Sequence, residues 1–403
     1  MILETDTVSD TPGLLQRGAA SIMQNYGRSP VVMSRGEGAF LWDTEGRQYL
    51  DLFAGFGGAV LGHCHPALVK AATEQAQQLW HVGNALYTTP QIEFAERLKK
   101  HSFDGRAFFC HSGMEANEAA VKLSRLRGQV EGGGKWKTVS LNKSFHGRSL
   151  AMIAATGNPA VKDGFGPAVP GFTNVEPFDY AAMEAAIDDQ TCCIIMEPIQ
   201  GEGGVNLYPP GHVAKIRKLC DQRGLTLIFD EVWTGCGRTG RWFAHQYENV
   251  EPDIMTLGKA VGGGLPVGVM YAKPHVAALL TPGRHGCTLG GNPICMAVSR
   301  TLFDVIENEN LVEHAEKLGA SAVEQLRSAS SIKEKMADVR GRGLFLGIEL
   351  KADPSDFTAK SLKHGLVTNL TAKRVIRLAP PINITINLWR EGVERVINLI
   401  AEL

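Results

Sequence analysis

The chain has almost no net charge. Its 403 residues set 41 Lys and Arg against 42 Asp and Glu, a formal balance of -1. Such a balance favours neither nucleic acid nor an anionic membrane as a partner. No apolar run approaches the ~20 residues of a membrane span. The eight cysteines (64, 110, 192, 193, 220, 236, 287 and 295) form no C-x-x-C pair, and several interrupt apolar runs. That pattern predicts reduced thiols in a cytoplasmic protein rather than a disulfide framework. The opening MILETDTVSD is acidic and lacks the basic-then-apolar order of a secretory signal. Several nucleotide and hydrolase signatures are also missing. There is no G-x-x-x-x-G-K-[ST] and no G-x-S-x-G, and Gly341-x-Gly343 is followed by Leu346 where a third Gly is needed. His63-Cys64-His65 is too compact to close a tetrahedral metal site, so no metal is expected. No internal repeat is present.

Hydrophobic residues make up 44% and charged residues 21%, the ordinary mix of a soluble globular protein. The length suggests two or three domains. Short apolar runs alternate with helical patterns through the middle of the chain. Arg106 to Cys110, Thr138 to Leu141, Cys192 to Met196, Leu225 to Phe229, Ile254 to Thr256 and Val267 to Tyr271 read as strands. Met114 to Leu126 and Val213 to Arg223 read as helices. Continuous apolar strands separated by helices predict an α/β fold with a mainly parallel sheet covered on both faces. Ligands of such sheets bind beyond the carboxyl ends of the strands. Ser112, Glu197, Asp230 and Lys259 all fall there. Nearer the ends, Gly36 to Asp51 reads as a hairpin turning near Glu45-Gly46. Leu311 to Ala329 and Leu388 to Leu403 read as helices, Val339 to Leu350 and Val375 to Leu378 as strands, and Gly132 to Gly134 as a surface loop. The expected division is a large domain over 51–300 and a smaller α+β domain built from 1–50 and 301–403.

Three features carry chemistry. In HSGMEAN, Ser112 followed by Glu115 fits a capping box at the start of a helix. Gly113 would let a ligand approach the backbone, and free N–H groups at a helix start bind anions. In TLGKAVGGGLPVG, Lys259 directly follows a buried strand, a costly place for an amine without a use. Lysine amines join carbonyl compounds, including pyridoxal 5'-phosphate (PLP). In IFDEVWTGCGRTG, Asp230 ends a buried strand. An ionised carboxylate there would keep a pyridine nitrogen protonated, which makes the ring an electron sink. Together the three features offer partners for the ring nitrogen, aldehyde and phosphate of PLP.

The segments GEGAFLWDTEGRQYLD, GHCHPAL, HSGMEANEAAVKL, FHGRSL, EPIQGEGGV, IFDEVWTGCGRTG, TLGKAVGGGLPVG, HGCTLGGNP and VIRLAPP resemble, in order, those of class III PLP-dependent aminotransferases of fold type I. The similarity runs from about residue 30 to residue 381 and is nearest to the acetylornithine branch. The resemblance implies a seven-stranded type of sheet and a homodimer with active sites at the subunit interface. It implies that Lys259 joins the cofactor aldehyde, and that Asp230 pairs with its ring nitrogen. Ser112, Gly113 and Met114 would meet the phosphate, and Thr288 would reach the phosphate in the neighbouring subunit. Phe145 and Val232 would pack on the two ring faces. Arg148 would bind the substrate carboxylate far from the reacting amine, and Arg377 the α-carboxylate of glutamate or 2-oxoglutarate. Glu202 would mask Arg377 while an ω-amine reacts. Tyr26 and Phe56 stand where ornithine enzymes contact substrate, Ala59 replaces a common Asn, and Trp233 replaces a Gln that contacts the ring hydroxyl. N-acetylornithine is the expected donor, ahead of ornithine, succinylornithine or 4-aminobutyrate. A PLP aminomutase and a catalytically silent binding protein are the other readings. EPIQGEGG, GRTG and the arginine pair argue against the first, and intact Lys259 and Asp230 against the second.

Overall fold

The computed structural model describes residues 10–403. The reading of the acidic N-terminal stretch therefore lies almost wholly outside the described residues. A seven-stranded sheet forms the centre. Its strands, in chain order, are β1 Arg106–Cys110, β2 Lys137–Leu141, β3 Phe172–Val175, β4 Thr191–Met196, β5 Thr226–Asp230, β6 Ile254–Leu257 and β7 Gly268–Ala272. Their order across the sheet is β1-β7-β6-β5-β4-β2-β3. Only β7 runs antiparallel to its neighbours.

The continuous apolar runs have a direct cause. Successive strand residues point to opposite faces, and here both faces are covered. Ile195 and Ile228 pack on one face against Ala119, Ala120 and Leu123 of helix α1, Gly113–Val130. Ile194, Leu227 and Phe229 pack on the other against Val213, Ile216 and Leu219 of helix α2, His212–Arg223. Each such side chain contributes roughly 1.5–3 kcal/mol by burial. The alternation also aims Asp230. It lies two residues beyond Ile228, and so on the α1 face.

The strand bounds agree with the sequence within a residue or two. Helix α1 runs one turn further than its periodicity predicts. Two differences are larger. The single strand expected over Val339 to Leu350 is a hairpin, Met336–Arg342 and Phe345–Leu350. Gly343 turns it at φ +51°, against the backbone of Thr239. The hairpin expected over Gly36 to Asp51 is a three-stranded meander, Met33–Glu37, Phe40–Asp43 and Gln48–Asp51. It does turn through Gly46, and also at Gly38, both at positive φ. Leu366–Val367 joins the meander in parallel beside Gln48–Asp51, so strands from near both chain ends share a sheet. A second four-stranded sheet combines the 336–350 hairpin with Asn369–Thr371 and Val375–Leu378. It carries Arg377.

Candidate active site

A cavity of about 440 Å³ opens beyond the carboxyl ends of the parallel strands. Ser112, Gly113, Met114, Asn117, Phe145, His146, Asp230, Val232, Trp233 and Lys259 are among the residues that line it. Eight of these, all but Asn117 and His146, were singled out from the sequence.

Asp230 is the last residue of β5 and is 3% exposed. Its Oδ2 accepts from Asn117 Nδ2 at 2.8 Å and lies 2.8 Å from His146 Nδ1. Its Oδ1 accepts only from its own turn, the Val232 N–H at 3.1 Å. That oxygen retains lone-pair capacity on the cavity side. Asn117 is itself fixed, donating to the His146 carbonyl at 2.8 Å and accepting from Thr256 Oγ1 at 2.6 Å. Neither Asn117 nor His146 was singled out in the sequence. Each lies inside a recognised motif, HSGMEAN or FHGR, but the partner that explains it is far away in the chain.

Lys259 lies two residues beyond β6 with φ at +46°. A side-chain-bearing residue there costs about 1–2 kcal/mol, the kind of strain that collects at functional sites. Its amine is pushed down to about 8, chiefly by burial and further by Arg377, against the pull of Glu202 and Asp230. A neutral, nucleophilic amine is therefore within reach near neutral pH. Ser112 caps α1 by accepting the Glu115 N–H at 3.2 Å. The capping box closes one residue early: Glu115 Oε2 takes the His111 N–H at 3.0 Å and the Ser112 hydroxyl at 2.9 Å. The first N–H groups of α1 have no intrahelical acceptor and face the cavity. Gly113 differs from expectation in one respect. A Cβ there would stand 2.5 Å from Val232 Cγ2, so the missing side chain makes room for Val232.

Glu197 follows β4 and is 2% exposed. It accepts the Phe145 N–H at 3.0 Å and the Gly201 N–H at 2.8 Å, fixing two loops at the cavity rim. Burial, and then the charge of Asp230, raise its carboxyl to about 7. Glu231 points elsewhere. It takes the N–H groups of Ala244 and His245 at 2.9 and 2.8 Å and the Thr234 hydroxyl.

At the mouth, Arg377 Nη1 stands 2.9 Å from Glu202 Oε1, and Asn369 Oδ1 takes Arg377 Nη2 at 2.8 Å. Burial pulls the Arg377 guanidinium below its usual range, against the opposing charge of Glu202. Burial would raise the Glu202 carboxyl, but Arg377 and Lys259 outweigh it and hold it low. Trp233 lies beside this pair. Its indole N–H donates to Glu202 Oε1 at 3.2 Å, not into the cofactor cavity.

Besides Arg377 and Glu202, four of the expected residues lie outside the cavity lining. Arg148 is exposed, its guanidinium carbon 5.6 Å from the Phe145 ring centre. Phe56 is 52% exposed and packs edge-on against Phe53 at 4.5 Å. Tyr26 is 67% exposed, beside Arg28. Thr288 is exposed on a loop that Asn84 holds through the carbonyls of Cys287 and Gly290 at 2.9 and 2.8 Å. His63, from the rejected metal motif, is held by Asp51 at 2.8 Å.

The donor set fits PLP on three counts. A buried carboxylate has a free lone pair, a lysine is depressed in pKa, and a helix start offers N–H groups, all on one cavity. Fold and site together define a PLP-dependent enzyme. The family model for class III aminotransferases matches residues 22–400, and the chain belongs to that family. It is 40% identical over 390 residues to an acetylornithine aminotransferase of Myxococcus xanthus, covering 95% of this chain and 96% of that one. It is 43% identical over 364 residues to ornithine aminotransferase 1 of Staphylococcus aureus, covering 89% and 91%. Among solved structures, the ornithine aminotransferase of Toxoplasma gondii superposes with a TM-score of 0.93 at 32% identity, over 97% of this chain and 94% of that one. That structure is described with partial occupancy of PLP at its active site. No helix among the described residues is long and apolar enough to cross a membrane.

Proposed function

We propose that the protein transfers the ω-amino group of N-acetylornithine to 2-oxoglutarate, giving N-acetylglutamate semialdehyde and glutamate, a step of arginine biosynthesis. The observation that carries this reading is the 2.9 Å pair between buried Arg377 and half-buried Glu202, whose charges both act on Lys259. An enzyme acting alternately on an ω-amine and on an α-amino acid needs a carboxylate site that can be masked and unmasked. The M. xanthus relative favours the acetylated donor, and the S. aureus relative keeps ornithine as the second reading.

PLP, when bound, supplies an aldehyde that takes up the amine and a ring that withdraws electrons from the neighbouring C–H bond. The protein does the rest. Asp230 Oδ1 holds the ring nitrogen's proton, with Asn117 and His146 steadying Oδ2. Ser112, Gly113 and Met114 hold the phosphate at the start of α1. Phe145 and Val232 confine the ring between them. Lys259 Nζ would hold the cofactor through its aldehyde and, once displaced from it by the substrate amine, would carry the proton between the two reacting carbons. In the first half-reaction Glu202 covers Arg377, and Arg148 at the rim takes the donor's distant carboxylate, with Tyr26 and Phe56 flanking it. In the second, 2-oxoglutarate displaces Glu202 and its α-carboxylate pairs with Arg377, for which planar guanidinium is well shaped.

The active unit in this reading is a homodimer, with Thr288 completing the phosphate site across the interface. The exposure of Trp80, Leu86, Tyr87 and Leu289 at 67%, 61%, 92% and 49% supports a covered surface near that loop. The large domain spans 51–300 and the small one 1–50 with 301–403. Eight unpaired cysteines support a reducing, cytoplasmic setting. The test is amine transfer to 2-oxoglutarate across a panel of N-acetylornithine, ornithine, succinylornithine and 4-aminobutyrate. N-acetylornithine should give the highest kcat/KM. Equal or better rates with free ornithine or 4-aminobutyrate would remove the donor assignment.

A further inference from the structure

Trp233 has four neighbours that its position in the chain does not explain. Its N–H reaches Glu202 Oε1, the same oxygen that faces Arg377. Its ring stacks on Phe345 with centroids 5.2 Å apart and planes 16° from parallel. The Arg377 guanidinium carbon and Lys259 Nζ each lie 4.2 Å from its ring centroid.

The indole is also clamped. A Cβ on Gly57 would come within 2.8 Å of its Cζ3, and a Cβ on Gly201 within 2.6 Å of its Cδ1. Trp233 is 4% exposed. A ring held by stacking on one side and by two glycine backbones at its edges has little freedom to turn. Its N–H therefore points at one place whatever Glu202 does. Glu202 has the opposite character, with 29% of its side chain exposed and a second cavity of about 410 Å³ beside it.

We propose that Trp233 is a latch: a positioning residue that holds Glu202 on Arg377 and so biases the enzyme against dicarboxylates until one displaces that carboxylate. This deepens the reading of Glu202 as a movable mask and rests on it. Opening the mask breaks the Glu202–Arg377 pair and also the indole hydrogen bond. The pair's loss is made good by the incoming carboxylate, but the indole bond's is not. Meanwhile the ring face keeps Arg377 in place through a cation–π contact, which does not depend on Glu202. The latch thus acts on the mask and not on the arginine.

Trp233→Phe separates these roles, since it keeps a ring face and removes the donor. A hydrogen bond to a charged group, discounted for partial exposure, corresponds to roughly a tenfold change in an equilibrium. Glutarate, a dicarboxylate with no group to react, should bind the Trp233→Phe holoenzyme about tenfold more tightly than wild type by calorimetry. The KM for 2-oxoglutarate should fall with it, while the KM for the ω-amine donor does not. In a Glu202→Ala background the same Trp233→Phe change should leave glutarate affinity as it was, because nothing remains to latch. Should Trp233→Phe fail to fold, Phe345→Leu keeps the donor but loosens its aim, and should shift glutarate affinity in the same direction by less. Unchanged or weaker glutarate binding, or an equal gain in both backgrounds, would overturn the latch. A wild-type enzyme that accepts no ω-amine would instead sink the proposed function, and the glutarate titrations would still judge the latch on their own.

Discussion

Arg377 and Glu202 meet as unequal partners. The arginine side chain has no exposed surface, whereas the glutamate keeps 29% of its own. Removing the buried member and removing the mobile member should therefore have opposite consequences. Arg377→Ala strands a carboxylate and leaves α-carboxylates unbound. Its KM for 2-oxoglutarate should rise at least about a hundredfold, in line with the 2–5 kcal/mol lost when one partner of a buried charge pair is truncated. Glu202→Ala should lower that KM and let glutamate compete with the ω-amine donor. Steady-state kinetics with both substrates varied would check the pair, and a parallel rise in both variants would refute the assignment.

Asp230→Asn keeps the shape of the strand end and removes its charge. An amide offers one acceptor oxygen where the carboxylate offers two, so it keeps either the Asn117 or the Val232 contact and loses the other, a cost of about 1–3 kcal/mol that a domain of this size should survive. Single-turnover reaction with the donor should slow by roughly a hundredfold or more, because the ring nitrogen loses the partner that keeps it protonated. Stopped-flow absorbance would follow it. A variant within a few-fold of wild type would rule Asp230 out as that partner.

The lowered Lys259 amine gives a pH prediction with a definite sign. The neutral amine is the reactive form, and its fraction rises as pH passes through about 8 instead of the usual lysine range. Cofactor uptake by the apoenzyme should accelerate with its midpoint near pH 8. The same shift has a stability consequence. Between about 8 and the ordinary 10.5 the unfolded chain binds more protons at this site, so the apoprotein gains stability from this group as pH rises through that window. Below about 8 the penalty of charging it in place is fully present. An uptake profile still climbing steeply above pH 10 would contradict the depressed amine.

Gly201→Ala would put a methyl group 2.6 Å from the Trp233 ring. Overpacking of this kind typically costs about 1–3 kcal/mol. The variant should melt lower, and Trp233→Leu, which vacates the ring edge, should recover part of the loss when combined with it. Thermal denaturation of the two single variants and the double one would decide. Strict additivity would mean that the two sites do not press on each other.

Much of this architecture is legible because the central strands are buried on both faces, so β4, β5 and β6 appear as unbroken apolar runs. Where that condition fails, legibility fails too. Edge strand β3, with the mixed pattern Phe-Thr-Asn-Val, was not singled out. The 336–350 hairpin turns at Gly343 with no longer loop to mark it, and the need for that glycine arises from Thr239, far off in the chain. The site divides in the same way. Lys259, Asp230 and Ser112 announce themselves by standing at the ends of regular elements. Asn117 and His146 do not, since what fixes them is a carboxylate on another strand. The direction of the Trp233 N–H is set by Gly57, Gly201 and Phe345 together, and no short motif contains all three.

The lone antiparallel strand β7 has a further meaning. Gly258, just before Lys259, lies so near Gly113 that a Cβ would stand 2.8 Å from its nitrogen, and Gly268, the first residue of β7, abuts the Ser112 carbonyl just as tightly. The chain thus leaves β6, passes through Lys259, and returns to touch the same helix start it has just left. The lysine and the head of α1 are bolted together, main chain to main chain, at two points ten residues apart. Under the proposed function this makes a fixed caliper: a molecule whose aldehyde and phosphate match the gap would be gripped at both ends, and a shorter or longer one at only one.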